Sequence, residues 1–153
     1  MFGIPKIRNK EMSLKENGKV RILLILPSHY DDDGYPYRFW KGLLPSNTLV
    51  CLKALVLRSV ENGELECASS IEVETLDEYV QKIDVDKIVR RSKRKGERLI
   101  VGLVGVQTNM FARAMDLALA FRKYDIPVLI GGFHVSGIMK MFGKPTEDLQ
   151  YLI

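Results

Sequence analysis

Residues 20–26 read Val-Arg-Ile-Leu-Leu-Ile-Leu and stop at Pro27, and residues 99–106 read Leu-Ile-Val-Gly-Leu-Val-Gly-Val. Runs this short and this apolar mark strands buried on both faces, as in a parallel sheet; a strand with one wet face would alternate. A weaker strand-like stretch covers 65–73, and Pro127 to Ile130 makes a short fourth. Helical patterns fill the gaps. Ser46 is placed to cap a helix in which Leu49, Leu52, Val56 and Val60 share a face, with Asn62-Gly63 as its stop. Thr75 and Glu78 stand at capping-box spacing for a helix that reaches towards Lys95 and ends at Gly96. Asn109 can cap a third helix, where Phe111, Met115, Ala118 and Arg122 share a face that Ala114, Leu117 and Phe121 widen. A last helical stretch around Val135 to Met141 breaks at Gly143-Lys144-Pro145.

The order β-α-β-α-β-α-β-α implies right-handed crossovers, and so an α/β, flavodoxin/Rossmann-like doubly wound parallel sheet in three layers, α/β/α. Residues 1–18 read as an N-terminal extension and 19–153 as one domain. The chain finishes on Tyr151-Leu152-Ile153 without a fifth strand, so the domain reads as a fragment, incomplete at the C-terminus.

In open parallel sheets a ligand sits beyond the carboxyl ends of the strands, at the topological switch point. That rule selects Ser28 to Gly34, Gln107 to Asn109 and Gly131 to His134, the same segments in which small and polar residues gather. The loop from Ser28 to Pro45 is too long for a plain connection and reads as functional. Gly131-Gly132 allows either close approach of the backbone to a flat ligand or a tight turn at positive φ. His29 and His134, the two histidines of the chain, both fall at strand ends.

Composition narrows the function. With 153 residues, 46% hydrophobic and 27% charged, the chain suits one globular domain. No apolar run approaches the roughly 18 residues of a membrane span, and residues 1–17 lack a secretory h-region, so no membrane partner and a cytoplasmic location are expected. Much of the net charge of +4 lies in Arg90-Arg91-Ser92-Lys93-Arg94-Lys95. No aromatic residue interleaves that run, which reads as a solvated helix end suited to the helix dipole rather than a nucleic-acid site. Cys51 and Cys67 give no disulfide framework, read as buried inert thiols, and are too few to ligate an iron–sulfur cluster. Two histidines without a supporting acidic pair make no protein metal site. Asp31-Asp32-Asp33-Gly34 lacks the later ligands of a calcium loop and reads as a solvated turn. No G-x-G-x-x-G or phosphate-binding G-x-x-x-x-G-K-[ST] is present, which disfavours dinucleotides and nucleoside triphosphates.

Four stretches together resemble the cobalamin-binding-like domain at the N-terminus of certain radical SAM proteins: Pro27 to Gly34, Leu44 to Leu49, Val101 to Asn109 and Val128 to Gly137. The resemblance covers about residues 20–140. It implies a sheet that packs against the lower face of a corrin ring, with the dimethylbenzimidazole tail threading towards the core. Better-known cobalamin domains carry D-x-H-x-x-G after the first strand, S-x-L after a later one and then G-G. Here Pro27 replaces the Asp, Gly34 falls at a different spacing from His29, and Gln107-Thr108-Asn109 stands at the S-x-L position; Gly131-Gly132 matches. The resemblance therefore implies base-off binding without a protein ligand to cobalt. Its cofactor-binding residues would be Ser28 and His29 on one wall, Gln107, Thr108 and Asn109 on the floor, and Gly131, Gly132, Phe133 and His134 on the other wall. A bulky residue at Gly132 is then expected to abolish binding and leave the fold intact. The C-x-x-x-C-x-x-C loop of radical SAM chemistry is absent; by resemblance the 4Fe-4S cluster and S-adenosylmethionine belong to a catalytic domain beyond residue 153, in a methyltransferase or related enzyme. The chain alone would present its cofactor and not catalyse. Two rival readings remain: a ligand-free flavodoxin-like domain that docks a neighbour or forms a homodimer, and a small hydrolase or nucleotide enzyme using His29 and His134.

Overall fold

The computed structural model describes residues 18–39, 46–65 and 70–143. Within them the elements run β1 (Lys19–Leu26), α1 (Asn47–Glu61), β2 (Ser70–Asp77), α2 (Val85–Lys95), β3 (Glu97–Leu103), α3 (Phe111–Arg122), β4 (Val128–Ile130) and α4 (Phe133–Phe142), with a 3-10 turn at Thr108–Met110. The strands form one sheet in the order β2-β1-β3-β4, parallel throughout. The fold is thus the flavodoxin/Rossmann-like α/β arrangement expected, with its switch point between β1 and β3.

Period-two alternation explains the apolar runs. Leu23 and Ile25 point to one face and join Val89 of α2 with Ala114, Leu117 and Phe121 of α3. Leu24 points to the other face and meets Leu49 of α1, Val73 and Val104. Central strands need apolar residues at every position because helices cover both sides. Arg21 is the exception in β1. It is almost fully buried, bonds Glu74 of β2, donates to Ser92 Oγ of α2 at 3.2 Å and lies 4.0 Å from Glu97 Oε2 of β3, so its charge is held on the α2 face by neighbours from three other elements.

Several expectations are corrected here. β2 lies at 70–77 rather than 65–73. It is an edge strand in which Ile71 and Val73 pack on the α1 face while Leu76 shares the other face with Glu72 and Glu74, so its apolar signal is weak. Thr75 is a strand residue opposite Leu24, not a cap. The following helix starts only at Val85, where Asp84 Oδ1 accepts from Lys87 N at 2.9 Å; it stops, as expected, at Gly96 in the left-handed region. Asn109 makes no cap, because residues 108–110 wind as a 3-10 turn before α3. The core stripe of α3 is Ala114, Leu117, Ala118 and Phe121, with Arg122 exposed. Ser46 does cap α1, accepting from Leu49 N. The run 90–95 is a basic helix end, with Arg91 reaching Glu74 and Lys95 reaching Glu97. Cys51 is exposed rather than buried, and Cys67 lies outside the described residues.

Candidate functional site

The crossover from β1 to α1 and β2 leads one way from the switch point, and that from β3 to α3 and β4 leads the other. Consequently α1 covers β2 and β1, and the same sheet face over β3 and β4 is left beside it as a groove of about 600 Å³. Helix α1 supplies one wall through Thr48, Cys51, Leu52 and Val56; the sheet supplies Leu24, Val104 and Leu129. Glycines 102, 105, 131 and 132 leave the groove deep and carry it to the carboxyl ends of β3 and β4. Among the described residues that line it, none carries a charge. A second hollow, about 360 Å³ between Arg122 and Val128, lies at the amino end of β4, away from the ligand edge.

The two glycines at the groove's mouth do different work. A Cβ on Gly132 would stand 2.2 Å from the amide nitrogen of Val106 and 2.5 Å from its carbonyl oxygen, and φ there is +146°. Gly132 therefore serves the close crossing of the β3 and β4 loops, which Val106 N donating to Gly131 O and His134 N donating to Val106 O also hold. A Cβ on Gly131 would meet nothing within 4 Å. The expectation that a bulky residue at Gly132 spares the fold is overturned by this contact; Gly131 is the position open to such a change.

The remaining expected residues fall into two groups. Phe133 projects to solvent, 81% exposed, from the first turn of α4. His134 packs on Phe111 at 4.4 Å between ring centroids, with Nδ1 3.2 Å from Thr108 Oγ1. Gln107 and Asn109 are exposed beside them. The second group lies towards β2 and α3; neither group lines the groove, which takes in Gly131 and Gly132 alone of the expected residues. Ser28 is fully buried, and its amide and hydroxyl both donate to Glu78 Oε2, at 3.1 and 3.3 Å. Its polar atoms thus serve the protein interior. His29 stacks on Tyr37 at 5.0 Å with its Nδ1 3.0 Å from the Tyr79 hydroxyl, and Phe39 stacks on Tyr79.

The ion pair at the centre of this second group, a buried carboxylate with a part-buried guanidinium, escaped sequence reading. Arg113 of α3 donates twice from Nε and Nη2 to the Glu78 carboxylate, at 3.1 and 2.6 Å. Burial alone would lower the Arg113 pKa, but the bonds to Glu78 and Tyr30 hold it above its ordinary value. The Tyr30 hydroxyl bonds Asp116, and burial followed by that carboxylate raises the phenol's pKa. Tyr79 is raised too, by burial first and then by Asp77 and Glu78. Asp31 Oδ1 accepts from the amides of Asp33 and Tyr35 in a tight turn. Among the described residues no cluster of three or more His, Cys, Asp or Glu could hold a metal ion. No helix among them is long and apolar enough to cross a membrane.

Compared with known proteins, the chain matches no family model, no curated protein and no solved structure.

Proposed function

We propose that the chain is a cofactor-binding module, and that a cobalamin-type corrinoid is its ligand. The observation that carries this reading is the apolar groove beside the switch point, lined by aliphatic side chains and by the glycines of β3, β4 and the loops that follow them. The described residues suit the dimethylbenzimidazole tail that the resemblance implies: an apolar cleft with no charge among them can take a flat aromatic base, and the open space at Gly131 leaves room for one to enter. Leu24, Leu52, Val56 and Val104 would hold the base, and Gln107, Thr108, Gly131 and His134 would border the corrin at the strand ends. The cobalt would supply methyl or radical chemistry to a radical SAM partner; this chain's own part is to bind, orient and shield. His29 is committed to Tyr37 and Tyr79, which supports binding without a histidine ligand.

The test is titration with hydroxocobalamin, followed by desalting and visible absorbance. A retained chromophore is expected, with bands of the form whose tail base has left cobalt. Gly131→Leu and Val56→Trp, which fill the groove from opposite walls, should each weaken retention at least tenfold without lowering thermal stability by more than about 1 kcal/mol. Unchanged retention in both variants would remove the groove from the site.

A second reading is a docking or dimerisation domain. It is favoured by the apolar residues that β4 and α4 leave in solvent: Leu129 is 68% exposed, Met141 79% and Phe142 60%. Patches of this kind mark interaction surfaces.

A further inference from the structure

We propose that the outer face of α2 is a contact surface for the phosphate backbone of a nucleic-acid duplex, held by charge and without readout of sequence. Lys87, Arg90, Arg91 and Arg94 stand at i, i+3, i+4 and i+7 on this helix, so they form one stripe, and all four are exposed. The opposite stripe is fixed to the domain: Val89 and Ser92 are each 2% exposed, and Val85 and Ile88 pack against the core. The helix dipole explains little of this charge. It places about half an elementary negative charge at the carboxyl end, whereas six lysine and arginine side chains lie between residues 87 and 95. Ion pairing explains little more. Arg91 and Lys95 reach Glu74 and Glu97, but the buried Arg21 already draws on both carboxylates, which leaves three cations on two anions. Asp84 and Asp86 are engaged at the amino end, one accepting from Lys87 N and the other from the Tyr124 hydroxyl. Through Tyr124 the turn after α3 is held against α2, and it brings the exposed Lys123 alongside.

The chemistry of this face favours one partner. A single strand is held by stacking its bases on aromatic rings, and the basic run contains none. Tyr124, the ring brought beside it, has its hydroxyl bonded to Asp86 and Lys93 Nζ 5.5 Å from its centroid. The missing aromatics thus argue against single strands only. A duplex keeps its bases inside and offers rows of phosphates, for which charge suffices. Three of the four residues in the stripe are arginines, whose guanidinium can bond two phosphate oxygens at once. A bilayer is bound best by a helix that also inserts an apolar face, and the apolar face of α2 is spent on the core.

The test is fluorescence anisotropy of the full chain with a labelled DNA duplex of about 20 base pairs and with its single strand, between about 50 and 200 mM salt. Duplex binding is expected to be the tighter, and to weaken on the order of a hundredfold across that range, as for contact with about four phosphates. Lys87→Gln, Arg90→Gln and Arg94→Gln together should weaken it about tenfold or more and flatten the salt dependence. A matched triple, Arg38→Gln, Arg58→Gln and Lys140→Gln, removes the same charge from other elements and should leave affinity within about twofold. All six positions are exposed, so neither triple touches the core. Equal loss in the two triples would assign the affinity to net charge and overturn the proposal, as would the absence of duplex binding at the lowest salt. Tighter binding to the single strand, to vesicles containing anionic lipid or to polyglutamate would give the face to another partner and overturn it too. None of these measurements involves a corrinoid, so the proposal and the cofactor reading stand or fall separately.

Discussion

Gly131 and Gly132 are adjacent and have opposite tolerances. Gly132→Ala must move the Val106 backbone or change a φ that L-residues avoid, and is expected to destabilise the fold by about 3 kcal/mol or more. Gly131→Ala should stay within about 1 kcal/mol, and urea unfolding of the two variants checks the contrast. As a dipeptide the pair left both roles open, because a sequence does not say which backbone crosses it; Val106 decides. Tyr30 offers a residue-level test in pH. Its folded pKa is raised, chiefly by burial and then by Asp116, so the folded state holds the phenolic proton more tightly than the unfolded chain. Stability from this group is present in full below the ordinary value of 10.0 and is lost as pH rises through the folded value. Tyr79 acts in the same direction. Thermal melts should therefore fall above pH 10, and Tyr30→Phe should flatten that decline; an equal slope in the variant would deny Tyr30 the role.

The elements meet at the Glu78–Arg113 pair, which ties the end of β1, the turn after β2 and helix α3 through Ser28. Glu78→Ala leaves a part-buried guanidinium without its carboxylate and two buried Ser28 donors without their acceptor, and should destabilise the domain by about 3 kcal/mol. Glu78→Leu with Arg113→Met should recover a substantial part of that loss, measured as a coupling energy in a double-mutant cycle. Glu78 reads from sequence as a capping residue because Thr75 precedes it at the right spacing. Its actual partners lie 50 and 35 residues away, at separations that no local period encodes. Strands differ in legibility for a related reason. β1 and β3 are the central strands and are written as apolar runs; β2 is an edge strand with a mixed face, and its place was set by register against β1.

Among the described residues, α2 and α3 bury one sheet face while α1 covers only part of the other. The groove and the exposed Leu129 are two consequences of that asymmetry. The docking reading predicts a second copy on this surface, seen in light scattering as a dimer whose population rises with concentration and which Leu129→Lys abolishes. A strictly monomeric chain up to about 100 μM, a concentration at which interfaces of standard size are populated, removes self-docking. The sequence by itself determined the alternation of strands and helices, the parallel sheet and the strand ends at which a ligand would lie, because burial on both faces and helical periodicity are local patterns. The tertiary structure decided which of those ends open onto a groove, which glycine is bound to its neighbour's backbone, and that Ser28 and His29 face Glu78 and Tyr79. Those outcomes depend on strand order and on pairs distant in the chain, and the chain records distant pairs only once it has folded.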